Sequence, residues 1–286
     1  MGTKHSVLKI KGKTVVGLRV DKRSFLRVIV VPEGVETIAS EAFKGRANLT
    51  SVTLPQTLTS VGNSVFAACR GITSLTLPNS LTSVTNFAFQ DCSGITSLTL
   101  PNSLTSVGNR AFSDCTGITS LTLTNSLTSV GNNAFEDCSG ITSVTLPNSL
   151  TSLGNYAFRG CSGITSLTLA NSLTSLGTCA FSGCSGITSL TLPTSLTTVE
   201  KYAFSQCSSL TTAIFKPCAP SAFIVWAVGN SRHRANWQLT SVKQLRNVVR
   251  LIAVMVLDQR CAVAALDPGA TRNVFMGCMS LREINE

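Results

Sequence analysis

The sequence predicts a repeat solenoid: stacked coils with a parallel β-sheet and short helical turns, carrying a partly helical insertion near the C-terminal end. Three observations predict it. Phenylalanines fall at Phe43, Phe66, Phe89, Phe112, Phe135, Phe158, Phe181 and Phe204, each step being 23 residues. A cysteine follows three residues later from Cys69 to Cys207. Between these marks one phrase recurs, as GITSLTLTNSLTSVGNNAFEDCS over 117–139 and GITSVTLPNSLTSLGNYAFRGCS over 140–162. Self-similarity at a fixed period of about 20–50 residues marks a stacked array. Such units bury their apolar faces against their neighbours and need no closed core of their own.

Residues 1–24 read as a basic N-terminal cap. SVLKIKGKTVVGLRV alternates apolar and polar residues on both sides of Lys11-Gly12-Lys13, the pattern of a hairpin. Met1-Gly2-Thr3-Lys4-His5-Ser6 also fits the N-myristoylation pattern at Gly2. Lys4, Lys9, Lys11 and Lys13 would supply the electrostatic attachment that a single acyl chain needs, so peripheral membrane contact is expected at this end.

Residues 25–217 hold the repeats. In Gly71–Ser93, GITSLTLPNSLTSVTNFAFQDCS, Leu75 and Leu77 alternate with Ser74 and Thr76, so the leucines face one side of a strand and the hydroxyls the other. Pro78 ends the strand by removing a ladder donor. Leu81 and Val84 point inward from the return path. Ala88, Phe89 and Cys92 follow at helical spacing and predict one short turn of helix. Thr124 and Ala170 take the proline position in two repeats.

The unit LTSLTLPNSLTSVGNxAFxxCSG resembles the BspA-type (Treponema-like) leucine-rich repeat, a 23-residue class, over about residues 25–217, with a half repeat at 271–286. The resemblance implies a curved, right-handed solenoid with its parallel sheet on the concave face. It also implies binding or adhesion and no enzymatic role, and many such proteins are secreted or anchored at the surface.

The pattern breaks over 218–270. Phe275 and Cys278 restore the Phe-x-x-Cys spacing, 71 residues after Phe204, as if one coil carried a 48-residue insertion on its return path. Thr240 caps an expected amphipathic helix over Ser241–Asp258, with Val242, Leu245, Val249, Ile252 and Val256 along one face. Trp226, Arg232, Arg234 and Trp237 are the candidate partner-binding residues here, because tryptophan and arginine dominate interface hot spots. Residues 271–286 read as a resumed, truncated repeat in which LREINE aligns with a strand.

Composition narrows the function classes. The chain carries a net charge of +10, distributed as 10 basic against 4 acidic residues over 1–46, 4 against 5 over 47–215 and 9 against 4 over 216–286. The repeats are therefore nearly neutral, and nucleic acid is not an expected partner. Seven of eleven cysteines belong to the 23-residue ladder, which packs thiols and does not present disulfide geometry. The start shows no secretory signal, and the most apolar run, Leu251–Leu257, is too short to span a bilayer. These features predict an intracellular, cytoplasmic protein.

No cofactor is expected, and no catalytic or metal-ligating constellation is found. Zinc pairs such as CxxC are absent, the histidines are His5 and His233, and no phosphate loop follows a strand into a helix. The expected function is a non-enzymatic protein-interaction module or scaffold with a protein partner. The alternative is binding of a periodic ligand, a glycan polymer or ice, by the hydroxyl lattice Ser74/Thr76, Ser97/Thr99, Ser120/Thr122, Ser143/Thr145 and Ser166/Thr168 on the concave sheet.

Overall fold

The computed structural model describes residues 7–19, 25–215 and 236–238. The chain opens with an antiparallel hairpin, β1 (Leu8–Lys11) and β2 (Thr14–Leu18). Gly12 takes the left-handed conformation at its tip, with φ +57°. About eight coils follow, one for each buried phenylalanine.

Each coil contributes strands to two rows. The first row comprises β3 (Val28–Val30), β5 (Ser51–Thr53), β8 (Ser97–Thr99), β10 (Ser120–Thr122), β12 (Ser143–Thr145), β14 (Ser166–Thr168), β16 (Ser189–Leu192) and β18 (Thr212–Phe215). Ser74 bridges Ser51 and Ser97 within it. The second row comprises β4 (Thr37–Ile38), β6 (Ser60–Val61), β7 (Ser83–Val84), β9 (Ser106–Val107), β11 (Ser129–Val130), β13 (Ser152–Leu153), β15 (Ser175–Leu176) and β17 (Thr198–Val199). All pairs within the rows are parallel and in register at the 23-residue step, so Ser97 lies beside Ser120 and Val107 beside Val130. The hairpin extends the second row, in the order β1-β2-β4-β6.

The third side of the coil corrects one expectation. The segment around each phenylalanine is a chain of tight turns and not a helical turn. Two residues in every coil, two before and two after the phenylalanine, have positive φ, as at Phe87 (58°) and Asp91 (57°) or Arg110 (53°) and Asp114 (61°). That alternation sends every second amide out of the coil. Phe87, Phe89 and Asp91 donate to the carbonyls of Asn109, Ala111 and Ser113 in the next coil, while Gln90 and Cys92 close turns onto Phe87 and Phe89. An α-helix would keep all of these bonds inside one coil.

This hydrogen-bond column runs opposite to many of the bonds beside the strands. There Thr105, Gly108 and Thr119 donate backwards to Thr82, Val84 and Thr96 of the preceding coil. The coils approach closely at the glycines. A Cβ on Gly131 would fall 2.7–2.8 Å from the Asn109 side-chain oxygen and from backbone atoms of Gly108 and Asn109.

The interior is a set of columns. The eight phenylalanine rings stack face to face, with centroids 5.0–5.5 Å apart and planes within 20° of parallel. The thiols have a definite task beside them. Each ladder cysteine donates its S–H to the carbonyl of the phenylalanine one coil back, at 3.1–3.3 Å, from Cys69 on Phe43 to Cys207 on Phe181.

A second correction concerns the C-terminal part. The helix expected over Ser241–Asp258 lies outside the described residues, and no α-helix occurs among the described ones. Trp237, expected on a return path, lies in β19 (Asn236–Gln238), whose backbone pairs in parallel with β18 at Ala213. The open ladder of β18 takes up the next extended segment, 24 residues on. The truncated repeat read over 271–286 also lies outside the described residues.

Candidate functional site

The first-row strands alternate burial residue by residue. Leu98 is fully buried while Ser97 and Thr99 are exposed, and the same holds at β12. All ten predicted lattice residues, Ser74, Thr76, Ser97, Thr99, Ser120, Thr122, Ser143, Thr145, Ser166 and Thr168, are solvent-exposed. The structure brings them together as two files along the solenoid, with like residue beside like in register.

Among the described residues their hydroxyls make no hydrogen bond. Neighbouring hydroxyls bond to the backbone instead: Thr119 to the Thr96 carbonyl at 3.1 Å, Thr142 to Thr119 and Thr165 to Thr142 at 3.3 Å. In the turn between the rows, Ser103 bonds to Leu81 at 2.7 Å and Ser126 to Leu104 at 2.9 Å. The repeat therefore holds two kinds of hydroxyl. One kind ties coil to coil, and the Ser-x-Thr pairs of the first row face solvent.

The lattice is interrupted twice. β10 does not pair with β12, nor β14 with β16. These gaps follow the two coils in which Thr124 and Ala170 stand in place of proline, and there the inward Leu121 and Leu167 are only half-buried.

Sequence reasoning missed a second file. Asn86, Asn109, Asn132 and Asn155 each accept, through Oδ1, the backbone N–H one coil on, always at 2.8 Å. This fixes the amide, leaving Nδ2 directed away from that bond. Asn86 and Asn109, with Asn63, Ser83, Ser106 and Ser129, line a shallow trough. The signal was present, as asparagine recurs at the same 23-residue step.

The turn side carries the acidic residues of the repeats. Arg70 holds Asp91 through two nitrogens, at 2.6–3.1 Å. Glu136, 7% exposed, accepts from Arg159 at 2.7 Å and from Asn133 at 2.8 Å. Burial, and then the Glu136 carboxylate, raise Asp137 above the usual carboxylate range. Burial likewise pushes the ladder thiols up, to about 12 at Cys69 and Cys207 and well above the ordinary value between them. They are packing groups and not nucleophiles. Among the described residues no group of three His, Cys, Asp or Glu is placed to hold a metal ion. No helix among them is long and apolar enough to cross a membrane.

Trp226, Arg232, Arg234 and Gly2 lie outside the described residues; of the four partner-binding candidates only the backbone of Trp237 is described.

The description "BspA type leucine rich repeat region" matches in six copies, over residues 22–142 and 129–221. The chain belongs to the BspA-type leucine-rich repeat family. Among solved structures, the leucine-rich repeat protein of Treponema pallidum (TpLRR) is 27% identical, with a TM-score of 0.55, covering 61% of this chain and 82% of that one. A leucine-rich repeat protein from Bacteroides ovatus is 23% identical, with a TM-score of 0.54, covering 71% and 66%. No curated protein matches the chain. The BspA-type fold is consistent with a protein-interaction scaffold, and leucine-rich repeat proteins are generally non-enzymatic binders.

Proposed function

We propose that this BspA-type solenoid is a protein-interaction scaffold whose binding face is the outer surface of the first strand row. One observation carries the reading: Ser97, Thr99, Ser120 and Thr122 are exposed, and their hydroxyls make no bond within the described protein, although other hydroxyls of the same coils do. Each is a donor and acceptor without a partner, held in place by a buried leucine or half-buried neighbour on the strand. A partner that meets them gains hydrogen bonds without first breaking internal ones. The basic, tryptophan-containing segment around Trp226, Arg232, Arg234 and Trp237 is the candidate second contact.

The test is chemical cross-linking in cells followed by identification of the partner, repeated with Thr99→Glu/Thr122→Glu and with alanine at all four C-terminal candidates. Loss of the partner with the glutamate pair, at unchanged circular dichroism, supports the hydroxyl face. Retention there, with loss in the alanine variant, moves recognition to the C-terminal segment.

A further inference from the structure

Among the described residues, the solenoid's N-terminal end is capped over one strand row and open over the other. The hairpin extends the second row, but the first row begins at β3, and among the described residues no strand pairs with its outer side. The direction of the free groups follows from the bonds made. Ser51 donates to the Arg27 carbonyl at 3.1 Å and Val31 donates to Thr53 at 3.0 Å. In a parallel ladder both backbone groups of a bonded residue face the same neighbour, and successive residues alternate sides. The N–H and C=O groups of Val28 and Val30 therefore point away from β5, and among the described residues nothing bonds to them.

Two further features set this edge apart. At the register positions occupied by Ser51 and Thr53, and by the Ser-x-Thr lattice beyond, stand Val28 and Val30. Val28 is 37% exposed, and Phe25, just before the strand, is 85% exposed. Natural edge strands are commonly blunted with lysine or proline. β1, at the edge of the other row, carries Lys9 and Lys11, whereas β3 carries neither residue type. Residues 7–19 and 25–31 contain Lys9, Lys11, Lys13, Arg19 and Arg27 and no carboxylate; of these cations Lys13 pairs with Glu36.

We propose that β3 is a docking edge for an extended acidic segment of a partner protein, which adds as a strand outside Val28–Val30. Main-chain bonds to the four free backbone groups would supply affinity, as in other cases of strand addition. Alternating apolar side chains of the segment would cover Val28, Val30 and Phe25, and its carboxylates would meet Arg27 and the other cations of this end. Like charge disfavours a second copy of the chain in that place, since two such ends would bring their cations together. This proposal stands independently of the hydroxyl face.

The test uses the full chain and a fluorescent, strand-forming peptide that alternates valine and glutamate, read by anisotropy and by amide hydrogen exchange. Binding is expected to protect the Val28 and Val30 amides and to weaken with added salt. Val30→Pro removes an outward N–H and none of the bonds to β5, so the thermal midpoint should hold while affinity falls at least about tenfold. Phe25→Ala should weaken binding without unfolding, and Thr122→Glu should leave it unchanged. The proposal is overturned if the Val28 and Val30 amides gain no protection, or if Val30→Pro and Phe25→Ala bind as the parent does. It is also overturned if those amides are protected in the protein alone. Protection that rises with protein concentration would assign the edge to a second copy, and protection at every concentration to this chain itself.

Discussion

Glu136 shows how much of this fold depends on single residues whose neighbours lie a whole coil away. Its carboxylate is buried and is held by Arg159, 23 residues on. Removing only the arginine leaves a buried charge with a weaker partner set, the Asn133 amide remaining. Arg159→Ala is therefore expected to destabilise by about 2 kcal/mol, measured by denaturant unfolding. Arg159→Ala/Glu136→Gln should recover part of that loss, and an additive double variant would refute the coupling. The thiols give a second expectation. Cys92, Cys115, Cys138 and Cys161 are fully buried, each bonded to a phenylalanine carbonyl. They should resist alkylation in the native protein at pH 8 and all react in denaturant, as peptide mapping would show. Half-exposed Cys179 provides the contrast and should be labelled first among the described thiols.

Secondary-structure elements here are short, and much of their definition comes from contact between coils. Gly131 lies where a Cβ would meet the backbone of the preceding coil. Gly131→Ala should cost about 2 kcal/mol, because the coils must separate locally, and calorimetry should show a lowered midpoint. Should it prove neutral, the coils are looser than the described distances. The parallel rows were legible from the alternation of Leu75 and Leu77 with Ser74 and Thr76, since a period of two has one structural meaning. The turn side was misread for a physical reason. Ala88, Phe89 and Cys92 have helical spacing, yet left-handed residues such as Phe87 and Asp91 redirect the amides between coils. Asp91 and Asp114, and Gly160 and Gly183 at the equivalent position, favour positive φ locally, but Phe87 and Tyr156 do not, and there the stack imposes it. The hydroxyl files could be read from spacing alone. Which hydroxyls are consumed internally could not, because that depends on bonds to residues 22 or 23 positions away. Val28 and Val30 stood in plain view, but their interest depends on the hairpin covering only the other row.

At the scale of the molecule, stability should be close to a sum over neighbouring coils. Deleting residues 117–139 joins Thr116 to Gly140 and preserves the phrase across the junction. The shortened protein is expected to fold and to unfold with a denaturant slope smaller by roughly one eighth, as less surface is exposed. Loss of cooperative unfolding would contradict the nearest-neighbour picture. The opposed hydrogen-bond columns have an electrostatic consequence. An α-helix aligns every peptide dipole and accumulates partial charge at its ends. Here amides around the phenylalanine point toward the C-terminal end, as at Arg110, Phe112 and Asp114, while amides beside the strands point back, as at Thr105, Gly108 and Thr119. The two sets oppose one another. A solenoid of this kind, lengthened coil by coil, therefore does not align all its peptide dipoles along its axis as an α-helix does.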